Sequence, residues 1–291
     1  MRTLPLPAAS HCLAALLGSP PPWIMGVLNV TPDSFTDGGR FLALSSAEAQ
    51  ARRLAGNGAA IIDIGGESTA PGTRPIGWEE ELARIEPVVG ALAGELVLSV
   101  DTYHARTAAR CLERGARIVN DVSACRAEPE VADVAREHDA VLVMMYAKDG
   151  PLPHATDRPA VYADVAAEVG EWLARRIDWA LGRGLSADRL VVDPGMGRFV
   201  SLDPADSWRL LAEMERVVAR VAPVPVLIGT SRKGFLGVPL AERDPVSQLT
   251  ALAAVRKGAT IVRTHDAWMM RQFLDAAVRL GEVPAASGAA G

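Results

Sequence analysis

The sequence predicts a single α/β domain folded as a (β/α)8 barrel of the TIM type, with its active site at the C-terminal ends of the strands. Three observations carry this. Eight short β-like runs alternate with amphipathic helical segments from Trp23 onward. None of the runs alternates strictly between polar and apolar, as expected of parallel strands buried on both faces. The stretch 23–281 has the length of one barrel, about 250 residues in the usual case. A doubly wound open sheet is the competing arrangement. It calls for a G-x-G-x-x-G turn after the first strand, and "NVTPDSFTDGG" is not one.

In chain order the predicted strands are "WIMGVLN", "AAIIDIGG", "LVLSVD", "RIVND", "AVLVMM", "RLVVD", "PVLIGT" and "TIVRT". Helical spacing places Leu82, Ile85, Val88, Val89 and Leu92 on one face of one connecting helix. The same spacing groups Val161, Val165, Val169, Leu173 and Ile177 on another. Ser45 followed by Glu48 has the form of a capping box. Asp203-Pro204 and Asp244-Pro245 each set a cap residue before a proline suited to the first helical position. Residues 1–22 are expected to be an N-terminal extension, broken by proline and unlike a signal peptide, and 282–291 a disordered tail.

Composition excludes several classes. A net charge of −5 with no concentrated basic stretch argues against binding nucleic acid or an anionic membrane. No apolar run approaches the ~20 residues of a membrane span. Cys12, Cys111 and Cys125 lack the spacing of a disulfide framework or zinc site. A cytoplasmic protein is the expectation.

The polar residues collect at the strand ends: Asn29; Asp63, then Glu67, Ser68 and Thr69; Asp101; Asn120 and Asp121; Tyr146 and Lys148; Asp193; Ser231, Arg232 and Lys233; Arg263, Thr264 and His265. A barrel builds its active site there. Asp101, Asn120, Asp193 and Lys233 are donors and acceptors suited to a flat heterocycle, whereas Asn29, Ser231, Arg263 and His265 form an anion and metal set. Each also has a plainer reading: Asp101 as a helix cap, Asn120-Asp121 or Asp193-Pro194-Gly195 as a turn, His265 as packing under the last helix. The plainer readings weaken when all must hold on one rim.

The stretches "MGVLNVTPDSFTDGGRF", "GAAIIDIGGEST", "SVDT", "IVNDVSA", "VVDPGMG", "IGTSRKGFLG" and "GATIVRTHD" follow one another in order. The chain from about Ile24 to Leu280 thereby resembles the dihydropteroate synthase family of pterin-binding barrels. The resemblance implies condensation of (7,8-dihydropterin-6-yl)methyl diphosphate with 4-aminobenzoate, giving 7,8-dihydropteroate and diphosphate in folate biosynthesis, with Mg²⁺ on the diphosphate. It implies a pterin pocket of Asp101, Asn120, Asp193 and Lys233, a metal position at Asn29, and diphosphate contacts at Arg263 and His265, with Thr264 between them. Ser231 falls near the aminobenzoate and diphosphate, and Thr69 on a second mobile loop. Lys233, Arg263 and His265 are the expected catalytic residues. "NVTPDSFTDGG" resembles the first mobile loop, a lid over the diphosphate in which Phe35 walls off the aminobenzoate. A homodimer is also implied, with Trp268, Met269 and Phe273 a candidate face.

Three places depart from the family pattern. Ala70 stands where an arginine usually follows "EST", the nearest arginine in sequence being Arg74; "MMYAKD" replaces a Met-His-Met type of segment; and "MGRFVS" differs from the usual Phe-Gly-Lys stretch. A methyltransferase domain passing a methyl group from methyltetrahydrofolate to a corrinoid protein, or a non-catalytic pterin-binding paralogue, are the alternatives. Diphosphate release on adding both substrates separates them from a synthase.

Overall fold

The eight expected strands all form in the computed structural model, which describes residues 11–31, 39–67, 75–150 and 158–284. They are β1 (Trp23–Asn29), β2 (Ile61–Gly65), β3 (Leu98–Asp101), β4 (Ile118–Asp121), β5 (Val141–Met145), β6 (Leu190–Asp193), β7 (Leu227–Ile228) and β8 (Ile261–Thr264). The helices are α1 (Cys12–Leu17), α2 (Gly39–Gly56), α3 (Trp78–Leu92), α4 (Ala105–Glu113), α5 (Glu130–Glu137), α6 (Val165–Gly182), α7 (Pro204–Ala212), α8 (Met214–Val221), α9 (Arg243–Val255) and α10 (Ala267–Arg279). All strand pairs are parallel, in the order β6-β5-β4-β3-β2-β1-β8-β7. A single bridge between Val192 and Val226, with Val192 N–H donating to Pro225 O at 3.0 Å, joins the two ends into a barrel.

Burial on both strand faces explains the apolar runs. Side chains such as Ile24, Leu28, Ile62, Ile64, Val100 and Val119 pack outward against the helices. Their alternates, Trp23, Met25, Ile61, Ile118, Val143 and Ile261, fill the barrel interior. Leu13 of α1 joins this inner cluster, fully buried. His11 caps α1 by accepting from Leu13 N, and its Nε2 lies 3.1 Å from Leu190 O. Part of the segment expected as an extension therefore packs against the inner cluster formed by the barrel strands.

Some helix boundaries differ from expectation. Helix α2 begins at Gly39, so Ser45 and Glu48 lie inside it, and Glu48 pairs with Arg52 one turn on (3.1 Å) instead of capping. Asp203 is a side-chain cap with Pro204 at the first helical position, accepting from Ala205 N at 2.9 Å. Asp244 and Pro245, by contrast, sit within the first turn of α9, where a proline is tolerated because those N–H groups lack helical partners. Asp244 there takes both bonds of Arg232, each 2.8 Å. Asp164 caps α6, leaving Val161 before the helix and 91 % exposed.

At Gly195 the backbone turns with φ +67°, and a Cβ would lie 2.4 Å from Tyr146 O. Both conditions require glycine in the turn that follows Asp193.

Removing the Leu13 side chain should lower the unfolding free energy by about 2–5 kcal/mol, the usual range for a buried leucine truncated to alanine. Urea titration of Leu13→Ala measures it; an unchanged midpoint would show that α1 contributes nothing to the barrel core.

Candidate active site

The deepest polar feature at the strand ends is an ion cluster. Asp63 of β2 is fully buried, and its Oδ2 accepts from Arg263 Nε at 2.6 Å and from Asn120 Nδ2 at 3.0 Å. Arg263 Nη2 donates to Asp101 Oδ2 at 2.6 Å. One guanidinium on β8 thus joins carboxylates on β2 and β3, and Asn120 on β4 completes the chain. Sequence places Asp101 and Asn120 in a pterin set and Arg263 in an anion set; through Asp63 they form one network. Asp63 Oδ1 is buried with no hydrogen-bond partner among the described residues. Burial pushes the Asp101 carboxyl upward against the opposing charge of Arg263. Arg263 itself stays firmly protonated, because Asp63 and Asp101 outweigh its own loss of solvation.

Asp193 and Lys233 form a second pair of charges. Asp193 is buried at the end of β6, and its Oδ1 accepts from Gly195 N at 2.7 Å. Burial raises its carboxyl to about 6, with Lys233 and Gly195 N–H opposing. Burial lowers the Lys233 ammonium to about 8, with Asp193 opposing. Its Nζ lies 4.9 Å over the Phe199 ring, a cation–π contact. Gly229, in the run between them, keeps the space open: a Cβ there would stand 3.9 Å from both Asp193 Oδ2 and Arg263 Cβ.

Ser231 and His265 meet as a third unit. Ser231 Oγ accepts from His265 N at 3.2 Å and lies 2.8 Å from the ring Nδ1. With the serine hydroxyl as donor to Nδ1, the imidazole proton would sit on Nε2; with Nδ1 as donor, Nε2 would be an acceptor. Burial, reinforced by Arg263 and Arg232, lowers His265 to about 4, so the ring is neutral at pH 7.

Of these groups, Asp101, Ser231, Lys233, Arg263 and His265 line one cleft of about 660 Å³, whereas Asp63, Asn120 and Asp193 are not among its lining residues. Asn29, exposed at the end of β1, lies on its wall with Asp101, Ser231, Lys233, Arg263 and His265. Thr264 does not line it. Its side chain is buried, its hydroxyl accepts from Gln248 Nε2 at 3.1 Å and from Asp266 N at 3.2 Å, and so it serves the barrel wall. Thr69, Ala70 and Arg74 and most of the first loop, Phe35 included, lie outside the described residues. Met196, Arg198, Phe199 and Phe235 are cleft residues that strand-end reasoning passed over. In sequence Met196, Arg198 and Phe199 are signalled only by the unusual "MGRFVS" stretch, and Phe235 only by its place in "SRKGFLG".

Among the described residues no three His, Cys, Asp or Glu side chains are placed to hold a metal. A resident metal cage is therefore not built from them. The amide oxygen of Asn29 instead suits Mg²⁺ brought in by a substrate, since that ion keeps waters and takes phosphate oxygens with only one or two protein ligands.

A profile described as "Pterin binding enzyme" matches residues 25–265. A dihydropteroate synthase of Mycobacterium leprae is 39 % identical over 257 residues, covering 86 % of this chain and 88 % of the relative. One from Synechocystis sp. is 37 % identical over 261 residues, with 86 % and 87 % covered. Among solved structures, Xanthomonas albilineans dihydropteroate synthase with 4-aminobenzoic acid superposes with a TM-score of 0.81 at 37 % identity, covering 92 % of this chain and 95 % of that one. The same enzyme in complex with 7,8-dihydropteroate gives 0.78 at 35 % identity, covering 91 % and 95 %. A match across the barrel from the first strand to the last, with relatives more than a third identical along nearly their whole length, means that the chain belongs to the pterin-binding enzyme family, in its dihydropteroate synthase branch.

Proposed function

We infer that this chain condenses (7,8-dihydropterin-6-yl)methyl diphosphate with 4-aminobenzoate, forming 7,8-dihydropteroate and releasing diphosphate. The observation that carries this reading is one cleft walled by Asp101, a partly desolvated ammonium and a neutral imidazole, and backed by Asp193 beside Gly229 and by Asn120 through the Asp63–Arg263 contact. Asp193 accepts N–H bonds from the amino-pyrimidinone edge, while Asn120 both gives and takes. Asp101 belongs to the same pocket. Lys233 meets the pterin carbonyl, and its compact ammonium is not interchangeable with a guanidinium.

The aminobenzoate nitrogen attacks the pterin methylene, a C–N bond forms, and the C–O bond to diphosphate breaks with its electron pair leaving on oxygen. The attacking amine then gives up a proton. The pterin ring stabilises positive charge at the methylene, so no side chain needs to act as nucleophile. His265 and Arg263 act on the departing anion, where developing charge makes fixed donors most effective. Ser231 orients His265 and lies next to the incoming amine's subsite. Asn29 would hold a Mg²⁺ ion accompanying the substrate, which would supply neutralisation of leaving-group charge. Thr69 is assigned to a second mobile loop by family resemblance alone. A homodimer and a cytoplasmic setting remain part of the proposal; Trp268, 55 % exposed on α10, is the apolar residue available to a second copy.

Diphosphate release on mixing both substrates tests the reaction; none with either substrate alone, and product with both, is the expected result. Asp193→Asn should weaken binding of a pterin lacking diphosphate by about 2–5 kcal/mol, because the amide cannot accept two N–H bonds. Calorimetry that finds near-wild-type affinity removes Asp193 from the pocket. Asn29→Ala should lower turnover and raise the Mg²⁺ requirement while leaving that same pterin's affinity unchanged; equal losses for pterins with and without diphosphate contradict this assignment.

Binding of the diphosphate-free pterin should also be strongest between about pH 6, below which Asp193 takes up a proton and loses its acceptor, and about pH 8, above which Lys233 loses its charge. A calorimetric profile flat from pH 5 to 9, a window set ~1 unit beyond each limit, would show that neither charge serves the ring.

A further inference from the structure

The loop after β7 makes a tight turn at a place where glycine is ordinarily needed. Lys233 N donates to Thr230 O at 3.3 Å, closing a turn from Thr230 to Lys233. Its third residue, Arg232, has φ +59°. That position calls for glycine or asparagine, because a Cβ in the left-handed region crowds the neighbouring carbonyl. Arg232 therefore has to be held in this conformation by contacts from elsewhere.

Helix α9 supplies them. Arg232 N donates to Ser247 Oγ at 3.0 Å, and Arg232 O accepts from Arg243 Nη1 at 3.0 Å. The guanidinium of Arg232 gives Asp244 two bonds of 2.8 Å. Ser247 is buried and fixed in its turn: its Oγ donates to Arg243 O at 2.6 Å, and its carbonyl accepts from Thr230 Oγ1 at 2.9 Å. One serine thus grips both the start of the turn and its left-handed residue. The neighbours of Arg232 on either side are cleft residues, Ser231 meeting His265 and Lys233 lying over Phe199. Relaxing Arg232 to a right-handed or extended backbone would rotate the peptide after it and redirect Lys233 relative to Ser231.

We propose that Asp244 and Ser247, neither of which lines the cleft, are positioning residues for the synthase reaction. From α9 they hold the left-handed turn that aims Ser231 and Lys233, and the Arg232 guanidinium is the strut between helix and turn. This assignment rests on reading the site as a dihydropteroate synthase. The Arg232–Asp244 pair is partly in solvent and adds little to global stability. What it biases is a local choice between turn conformations, where a small free-energy difference changes the fraction that is competent.

Glycine at position 232 separates the strut from other roles, since it adopts positive φ without strain and keeps the backbone bonds to Ser247 and Arg243. In diphosphate release, Asp244→Ala should lower kcat/KM about threefold and Ser247→Ala about tenfold, the latter equivalent to ~1.4 kcal/mol. Arg232→Gly should lose less than Arg232→Ala, and adding Asp244→Ala to Arg232→Gly should cost no further activity. Calorimetric affinity for the diphosphate-free pterin should follow the same order, because Lys233 moves with the turn. A role in stability alone would lower the melting temperature of the Asp244→Ala and Ser247→Ala variants and leave both readouts at wild-type values, which overturns the proposal. Equal losses in Arg232→Gly and Arg232→Ala, or an Asp244→Ala loss that persists beside Arg232→Gly, also overturn it and leave the synthase reading standing. Wild type that binds the pterin but releases no diphosphate overturns the synthase reading, while the same cycle is still read in pterin affinity; wild type that does neither overturns both.

Discussion

The site depends first on one buried cation. Arg263 enters from the last strand and must find two carboxylates from the second and third, with the barrel closed, before its charge is compensated. A guanidinium stripped of water without partners is costly, and removing one member of such a buried set typically costs 3–5 kcal/mol. Barrel closure and site assembly are consequently the same event. Strands more than 160 residues apart in sequence are brought into register by β1, which pairs with both β2 and β8. Arg263 cannot be a free anion-binding side chain. It presents to the cleft what remains after Asp63 and Asp101 have taken their bonds, and Asp101 is partly neutralised by the same contact.

That constraint divides the remaining work. Because Arg263 is already engaged, positive potential at the leaving-group end must come from groups held near neutrality or partly desolvated. His265 is such a group, kept uncharged by burial and by neighbouring cations, and held at its Nδ1 by Ser231. Lys233 is another. Its charge is retained mainly through Asp193, and the face of Phe199 gives its ammonium a second favourable contact without a hydrogen-bond partner that would compete with substrate. The glycines at 195 and 229 matter for the same reason, one permitting the turn behind Asp193 and the other leaving the volume that a ring requires.

The eight strands and nearly every strand-end residue could be read from sequence, because burial on both faces leaves continuous apolar runs that stop abruptly at polar residues. Helix starts were less legible. Capping signals at Ser45 and Asp244 were overridden by other pairings, Glu48 going to Arg52 one turn along the same helix and Asp244 to Arg232 across the fold. Side-chain direction was not legible at all. Thr264 and His265 are adjacent, yet successive strand residues point to opposite faces; Thr264 turns to Gln248 and His265 to the cleft. Nor could spacing show that Asp63 and Arg263 touch across 200 residues.

The surroundings of the cleft differ in how tightly they fix its residues. The deep end is over-determined: Asp63 and Asp193 are buried and their charged partners Arg263 and Lys233 half-buried, so few substitutions leave the network satisfied. Beside α9, Arg232 pairs with Asp244 and Arg243 with backbone carbonyls, both partly in solvent, where exposed ion pairs contribute little. On the proposed reading, recognition of the ring is bound to the strands more tightly than recognition of the acceptor's charge. A departure from the family pattern such as Ala70 is then more tolerable than a change at Asp193 or Arg263.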